Sequence, residues 1–140
     1  MAPKKPQLDL SGISIFSELS KREQKSVAQL MTTVDAKPGM ALTKQGDRGR
    51  EFMIITEGTA NVEIDGTVVA RLSPGDFLGE LAIISGEPRT ATVVATSDMT
   101  LEVLNRREFM AMLDESTSVA KKILVGAVKR LQDNEATKTN

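Results

Sequence analysis

From Met40 to Val103 the chain is cut at short intervals by turn signals: Gly46-Asp47, Gly58, Asp65-Gly66, Ser73-Pro74-Gly75-Asp76, Pro88 and Ser97-Asp98. Glycine reaches backbone conformations closed to other residues and proline cannot continue a hydrogen-bonded ladder, so each of these points ends a regular element. The runs left between them are Phe52–Thr56, Thr59–Ile64, Thr67–Leu72, Thr90–Thr96 and Met99–Leu104. They are too short for ordinary helices and rich in β-branched residues, which pack well on a pleated surface. Asp65-Gly66 sits between two of them as the dipeptide of a two-residue hairpin. Short strands joined in this way close into a barrel or fold as two packed sheets, and a roll over about residues 40–104 is expected.

The flanks have a different texture. In "ISIFSELSKREQKSVAQLM", Ser20 and Glu23 form a capping-box pair, and Val27, Leu30 and Met31 follow at helical spacing. Lys37-Pro38-Gly39 ends that unit. After the roll, Asn105 is a cap for a short helix, "NRREFMAMLDE". A longer helix covers "STSVAKKILVGAVKRLQD", where Val119, Ile123, Ala127 and Arg130 lie on one line with Ala120, Leu124, Val128 and Leu131 beside them. The expected organisation is a loose segment over 1–12, one α+β domain over 13–133 with C-terminal helices over about 105–133, and a polar tail over 134–140.

Composition removes several classes of function. There is no cysteine and no histidine, so thiolate metal sites, disulfides and the common imidazole ligands and bases are all missing. A metal-dependent cupin, which shares this kind of β-architecture, is disfavoured on that ground, and neither a metal nor a cofactor is expected. A formal net charge of -1 and the lack of Trp and Tyr argue against a nucleic-acid coat or stacking platform. No apolar run reaches about 18 residues, so no membrane span is expected, and a cytoplasmic location is the expectation.

One stretch breaks the strand rhythm. "FLGELAIISGEPRTATVVA" (Phe77 to Ala95) interrupts an apolar region with Gly79-Glu80, a short apolar segment and Pro88-Arg89-Thr90. Gly79 permits a close backbone approach. Leu81 to Ile84 fit one helical turn, whose first N–H groups, near Leu81 and Ala82, have no intrahelical acceptor and suit an anion. Arg89, placed by Pro88, carries a planar fork that matches phosphate. Glu80 beside a phosphate is unfavourable unless a donor such as a sugar hydroxyl meets it. Together these residues point to a ligand with one phosphate and one sugar hydroxyl.

The same stretch resembles the phosphate-binding cassette of cyclic nucleotide-binding domains, the family of the catabolite activator protein, protein kinase regulatory subunits and cyclic nucleotide-gated channels. Gly79, Glu80, Leu81, Ala82, Arg89, Thr90 and Ala91 match its pattern, with Leu78 as one additional residue after Phe77. Gly46-Asp47, "FMIITEGTANV" and "LSPGDF" match the roll framework, so the likeness runs from about Ile15 to Leu131. The resemblance implies a jelly-roll-like double-sheet β-roll with an N-terminal helix, a short cassette helix and C-terminal helices. It implies that Glu80 accepts from the ribose 2′-hydroxyl and Arg89 pairs with the cyclic phosphate. The backbone at Leu81 or Ala82, with Thr90, completes the cradle, and Val69 lines the base pocket.

The expected function is a regulatory module, not an enzyme, that binds cyclic AMP in preference to cyclic GMP and moves its C-terminal helix for an effector protein to read. Leu124, Val128, Arg130, Leu131 and Asn134 are the lid candidates, and the same helix is a candidate homodimer seam. Neither direct nucleic-acid nor membrane binding is expected; with the chain ending at Asn140, no helix-turn-helix is foreseen after the long helix. The alternative is a degenerate, ligand-free scaffold that binds proteins. Blander roles stand beside each residue: Gly79 as a turn, Glu80 and Arg89 as a mutual salt bridge, Thr90 as strand filler. Likewise, Met99, Met110 and Met112 serve as core filler, and Lys121, Lys122, Lys129 and Arg130 as a solvated helix face.

Overall fold

The computed structural model describes residue 10 and residues 12–139, with side chains to residue 132. A 3-10 turn, Ser14–Phe16, precedes α1, Lys21–Gln29. The single N-terminal helix expected from sequence is thus two pieces, because Ser20 is extended (φ -65, ψ 164) and caps α1 through the Glu23 N–H. The strands are β1 (Thr32–Ala36), β2 (Ala41–Thr43), β3 (Glu51–Glu57), β4 (Ala60–Ile64), β5 (Thr67–Leu72), β6 (Phe77–Leu78), β7 (Thr92–Ala95) and β8 (Met99–Asn105). Helix α2, Glu80–Ser85, lies between β6 and β7; α3, Arg106–Glu115, and α4, Thr117–Thr139, close the chain.

The strands form two antiparallel four-stranded sheets, ordered β1-β8-β3-β6 and β2-β7-β4-β5. The roll begins earlier than expected, because β1 pairs with β8 from Thr32↔Val103 to Ala36↔Met99. The β-branched Thr32, Thr33 and Val34 support that strand, but they lie on the N-terminal side of the Lys37-Pro38-Gly39 turn, where the sequence predicts the β-region to begin.

Strand β3 decides how the layers stack. Phe52 and Ile54 face the helices, in a core with Phe16, Val27, Leu104, Phe109, Met112, Val119 and Ile123. Met53 and Ile55 face the second sheet, in a core with Ala60, Leu72, Val93, Ala95, Leu101 and Val103. Alternation along one strand therefore serves two cores, which is why β3 reads as a nearly continuous apolar run. Phe52 stacks against Phe109 with centroids 4.7 Å apart and against Phe77 at 5.6 Å.

The helix ends differ from the expected boundaries for local reasons. Asn105 caps α3, accepting from the Glu108 N–H at 2.8 Å while the Glu108 carboxylate returns a bond to the Asn105 N–H at 2.9 Å. Helix α4 runs past residue 133, where no glycine or proline stops it. Leu10, inside the segment expected to be loose, is buried in the helical core; most of residues 1–12 and the side chain of Asn134 lie outside the described residues. Met99 and Met112 are core residues as expected, whereas Met110 is 46% exposed. Among the described residues, no helix is long and apolar enough to cross a membrane.

Candidate functional site

A cavity of about 680 Å³ lies between the second sheet, α2 and the distal part of α4. Thr43, Val62, Val69, Ala70, Leu72, Leu78 and Val93 form its apolar wall. The stretch from Gly79 to Ala82, together with Arg89, Thr90 and Ala91, forms its polar side. All eight residues read from sequence as ligand contacts line this one space. Val62, Leu72, Leu78 and Val93 were missed, although alternation along the strands marks which residues face inward.

Gly79 makes the polar side buildable. Its φ of +98 is left-handed, and a Cβ there would run into the Glu51 carbonyl oxygen and come within 2.7 Å of Arg89 Nη1. The first bond within α2 runs from the Ile83 N–H to the Gly79 carbonyl at 3.2 Å. The N–H groups of Leu81 and Ala82 precede it and have no intrahelical acceptor.

Arg89 is held at both ends. Its N–H donates to the Asp47 carbonyl at 2.7 Å, and its carbonyl accepts from the Gly46 N–H at 2.8 Å. Its Nη2 donates to the Glu51 carbonyl at 2.8 Å. Gly49 is needed here as well, since a Cβ would meet Ala82 and the Arg89 guanidinium. Partial burial lowers the Arg89 pKa from its ordinary value, opposed by the Glu51 and Glu80 carboxylates. A sheltered guanidinium of this kind is set to gain from an anion brought to it.

Glu80 is completely buried. Its partner is not Arg89 but Arg130 of α4, whose Nη1 donates to Oε1 at 2.8 Å and to Oε2 at 2.9 Å. Arg130 Nη2 donates to the Phe77 carbonyl at 2.6 Å, and the guanidinium lies 5.5 Å from the centroid of the Phe77 ring. Burial nonetheless holds the Glu80 carboxyl above its ordinary value; the Arg130 charge, a backbone hydrogen bond and the Arg89 charge, in that order, pull it back only in part. A carboxylate has about four acceptor sites, so both oxygens keep lone pairs for a further donor.

The lid candidates divide. Arg130 and Leu131 line the cavity. Leu124 and Val128 do not line it and are 60% and 47% exposed. Arg130 is thus no part of a solvated face, and Lys122 is also engaged, with the Ser14 carbonyl at 3.0 Å and Ser17 Oγ at 2.8 Å. Lys121 and Lys129 remain exposed.

A sheltered guanidinium, a buried carboxylate and an apolar wall in one cavity agree with the outcome of comparison with known proteins. The family model "Cyclic nucleotide-binding domain" matches residues 33–116. The chain belongs to that family. A cAMP-dependent protein kinase regulatory subunit from Debaryomyces hansenii is 31% identical over 113 residues, covering 80% of this chain and 25% of the relative. The chain therefore spans about a quarter of the length of that curated relative. The structure of PKAR CBD2 bound to Sp-2Cl-cAMPS is 26% identical, with a TM-score of 0.77 over 90% of this chain and 86% of that one. The regulatory subunit of a cAMP-independent protein kinase A from Trypanosoma cruzi, bound to guanosine, is 30% identical. Its TM-score is 0.71 over 81% of this chain and 42% of that one. The two sheets with their flanking helices are the β-roll of that family.

Proposed function

We propose that this domain is a regulatory sensor that binds a cyclic nucleotide, cyclic AMP in preference to cyclic GMP, and signals occupancy through α4. The observation that carries this reading is the convergence of Arg89, the N–H groups of Leu81 and Ala82 that lack an intrahelical acceptor, and buried Glu80 on one cavity. The cyclic phosphate pairs with Arg89, the ribose 2′-hydroxyl donates to Glu80, and the purine lies against Val69 and the apolar wall. No bond is made or broken in this function. Because Arg130 already bonds Glu80, the ligand changes the contacts that seat α4, and the binding energy biases where that helix sits. The effector that reads α4 is a protein outside this chain. The exposed line Leu124, Val125 and Val128 on α4 also supports a homodimer seam.

A second reading is suggested by the guanosine-bound relative: a nucleoside site without a phosphate. Arg89 speaks for the cyclic nucleotide, since a nucleoside leaves a half-buried guanidinium without an anion. Calorimetric titration with cyclic AMP, cyclic GMP and guanosine separates the two. Both cyclic nucleotides should bind at least about tenfold more tightly than guanosine, the difference being one charge-assisted contact. Guanosine binding as tightly as the cyclic nucleotides would favour the nucleoside site. Thr90→Ala should weaken cyclic GMP more than cyclic AMP; equal loss removes Thr90 from selectivity.

A further inference from the structure

Behind the cassette helix lies a second cleft, of about 520 Å³, with four arginines on its walls: Arg48 and Arg50 from the β2–β3 loop, and Arg106 and Arg107 from the start of α3. All four are exposed. None makes a hydrogen bond or ion pair through its side chain among the described residues. In a chain of net charge -1, four cations without a side-chain partner around one cleft are a local concentration of positive charge. Stability does not explain them. Arg106 and Arg107 stand in the first turn of α3, where the helix dipole disfavours positive charge.

We propose that this cleft is the docking site for an acidic segment of a partner protein, one whose carboxylates are interleaved with apolar side chains. Ala82 and Ile83 also line the cleft, and Gly86 has open space where a Cβ would stand, which lets a backbone approach closely. An exposed guanidinium gains little from a small ion that stays hydrated. A segment that fills the cleft removes water from several charge pairs at once, which is where such pairs gain strength and specificity. A nucleic acid fits less well: the cationic surface is a bounded cleft, not a stripe, and the chain has no Trp or Tyr to stack on bases. Ala82 lines this cleft on one side of α2 and the larger cavity on the other. A segment docked here therefore touches the element that carries the cassette.

The test does not depend on whether the larger cavity takes a nucleotide. Fluorescence anisotropy would follow a labelled peptide of alternating glutamate and leucine binding to the full chain. The competitors would be its glutamine counterpart, inorganic phosphate and a single-stranded DNA oligomer. Arg48→Gln with Arg50→Gln, and separately Arg106→Gln with Arg107→Gln, should each weaken the acidic peptide about tenfold or more while leaving the melting temperature unchanged. Lys121→Gln with Lys129→Gln, an equal change of charge on α4, should leave the peptide affinity within about twofold. Only unlabelled acidic peptide should compete effectively. The proposal is overturned if the peptide does not bind, if the lysine pair matters as much as either arginine pair, or if phosphate or DNA displaces the peptide as well as the peptide itself does.

Discussion

At Glu80 two demands meet. As a fully buried carboxylate it costs desolvation, and the Arg130 guanidinium within 2.8 Å offsets only part of that cost, so its pKa stays above the ordinary 4.5. The folded chain therefore holds the Glu80 proton more tightly than the unfolded chain. Stability from this residue is full below about pH 4.5 and is lost as pH rises through the higher folded value. Glu80→Gln removes the titration. In urea melts from about pH 4 to about pH 7, the parent should lose stability relative to Glu80→Gln as pH rises; the opposite slope would mean that the ion pair outweighs burial. Glu80 and Arg89 were legible in the sequence because their spacing around a short apolar turn is unusual within a strand region. The partner of Glu80 was not. Arg130 is 50 residues away, and helical spacing put it on the apolar line of α4 without saying what it would reach.

Among the elements, α4 is the one through which the proposed signal would pass. Its inner line, Val119, Ile123 and Ala127, is buried in the helical core, as the spacing predicted. Gly126 and Arg130, four residues apart, share one face and both meet Phe77: a Cβ at Gly126 would lie 2.6 Å from the ring tip. Phe77 cannot retreat freely, because it packs on Phe52. Gly126→Ala should gain about 1 kcal/mol of helix propensity and lose about 2 kcal/mol to overpacking, a net destabilisation of about 1 kcal/mol in urea melts. A stabilised variant would show that α4 is not tightly seated on Phe77. The outer line is a separate matter. Leu124, Val125 and Val128 are exposed; the apolar spacing put Leu124 and Val128 on the face expected to serve as lid or seam, and their exposure leaves the seam. Sedimentation equilibrium should show a concentration-dependent dimer for the parent and a monomer for Val128→Glu. If the two sediment alike, this line is not a dimer seam.

Across the whole molecule, the β1-β8-β3-β6 sheet separates two tasks. The helices, including α4, pack on one of its faces, and the second sheet with the ligand cavity lies on the other. The two sides meet where β6 hands over to α2, at Phe77, Gly79 and Glu80. Turn chemistry and β-branched runs made the roll readable from sequence. The edge strand β1 was not, because it depends on pairing with β8; the start of α1 was marked by the Ser20–Glu23 capping box, but the separate 3-10 turn before it was not. The central claim is that this architecture places Arg89 to hold the phosphate of a cyclic nucleotide. Calorimetric titration of cyclic AMP into the parent and into Arg89→Ala tests it most directly. The account predicts a loss of about 2–5 kcal/mol, roughly 30-fold to several-thousand-fold in Kd. An Arg89→Ala chain that binds within about threefold of the parent would contradict it.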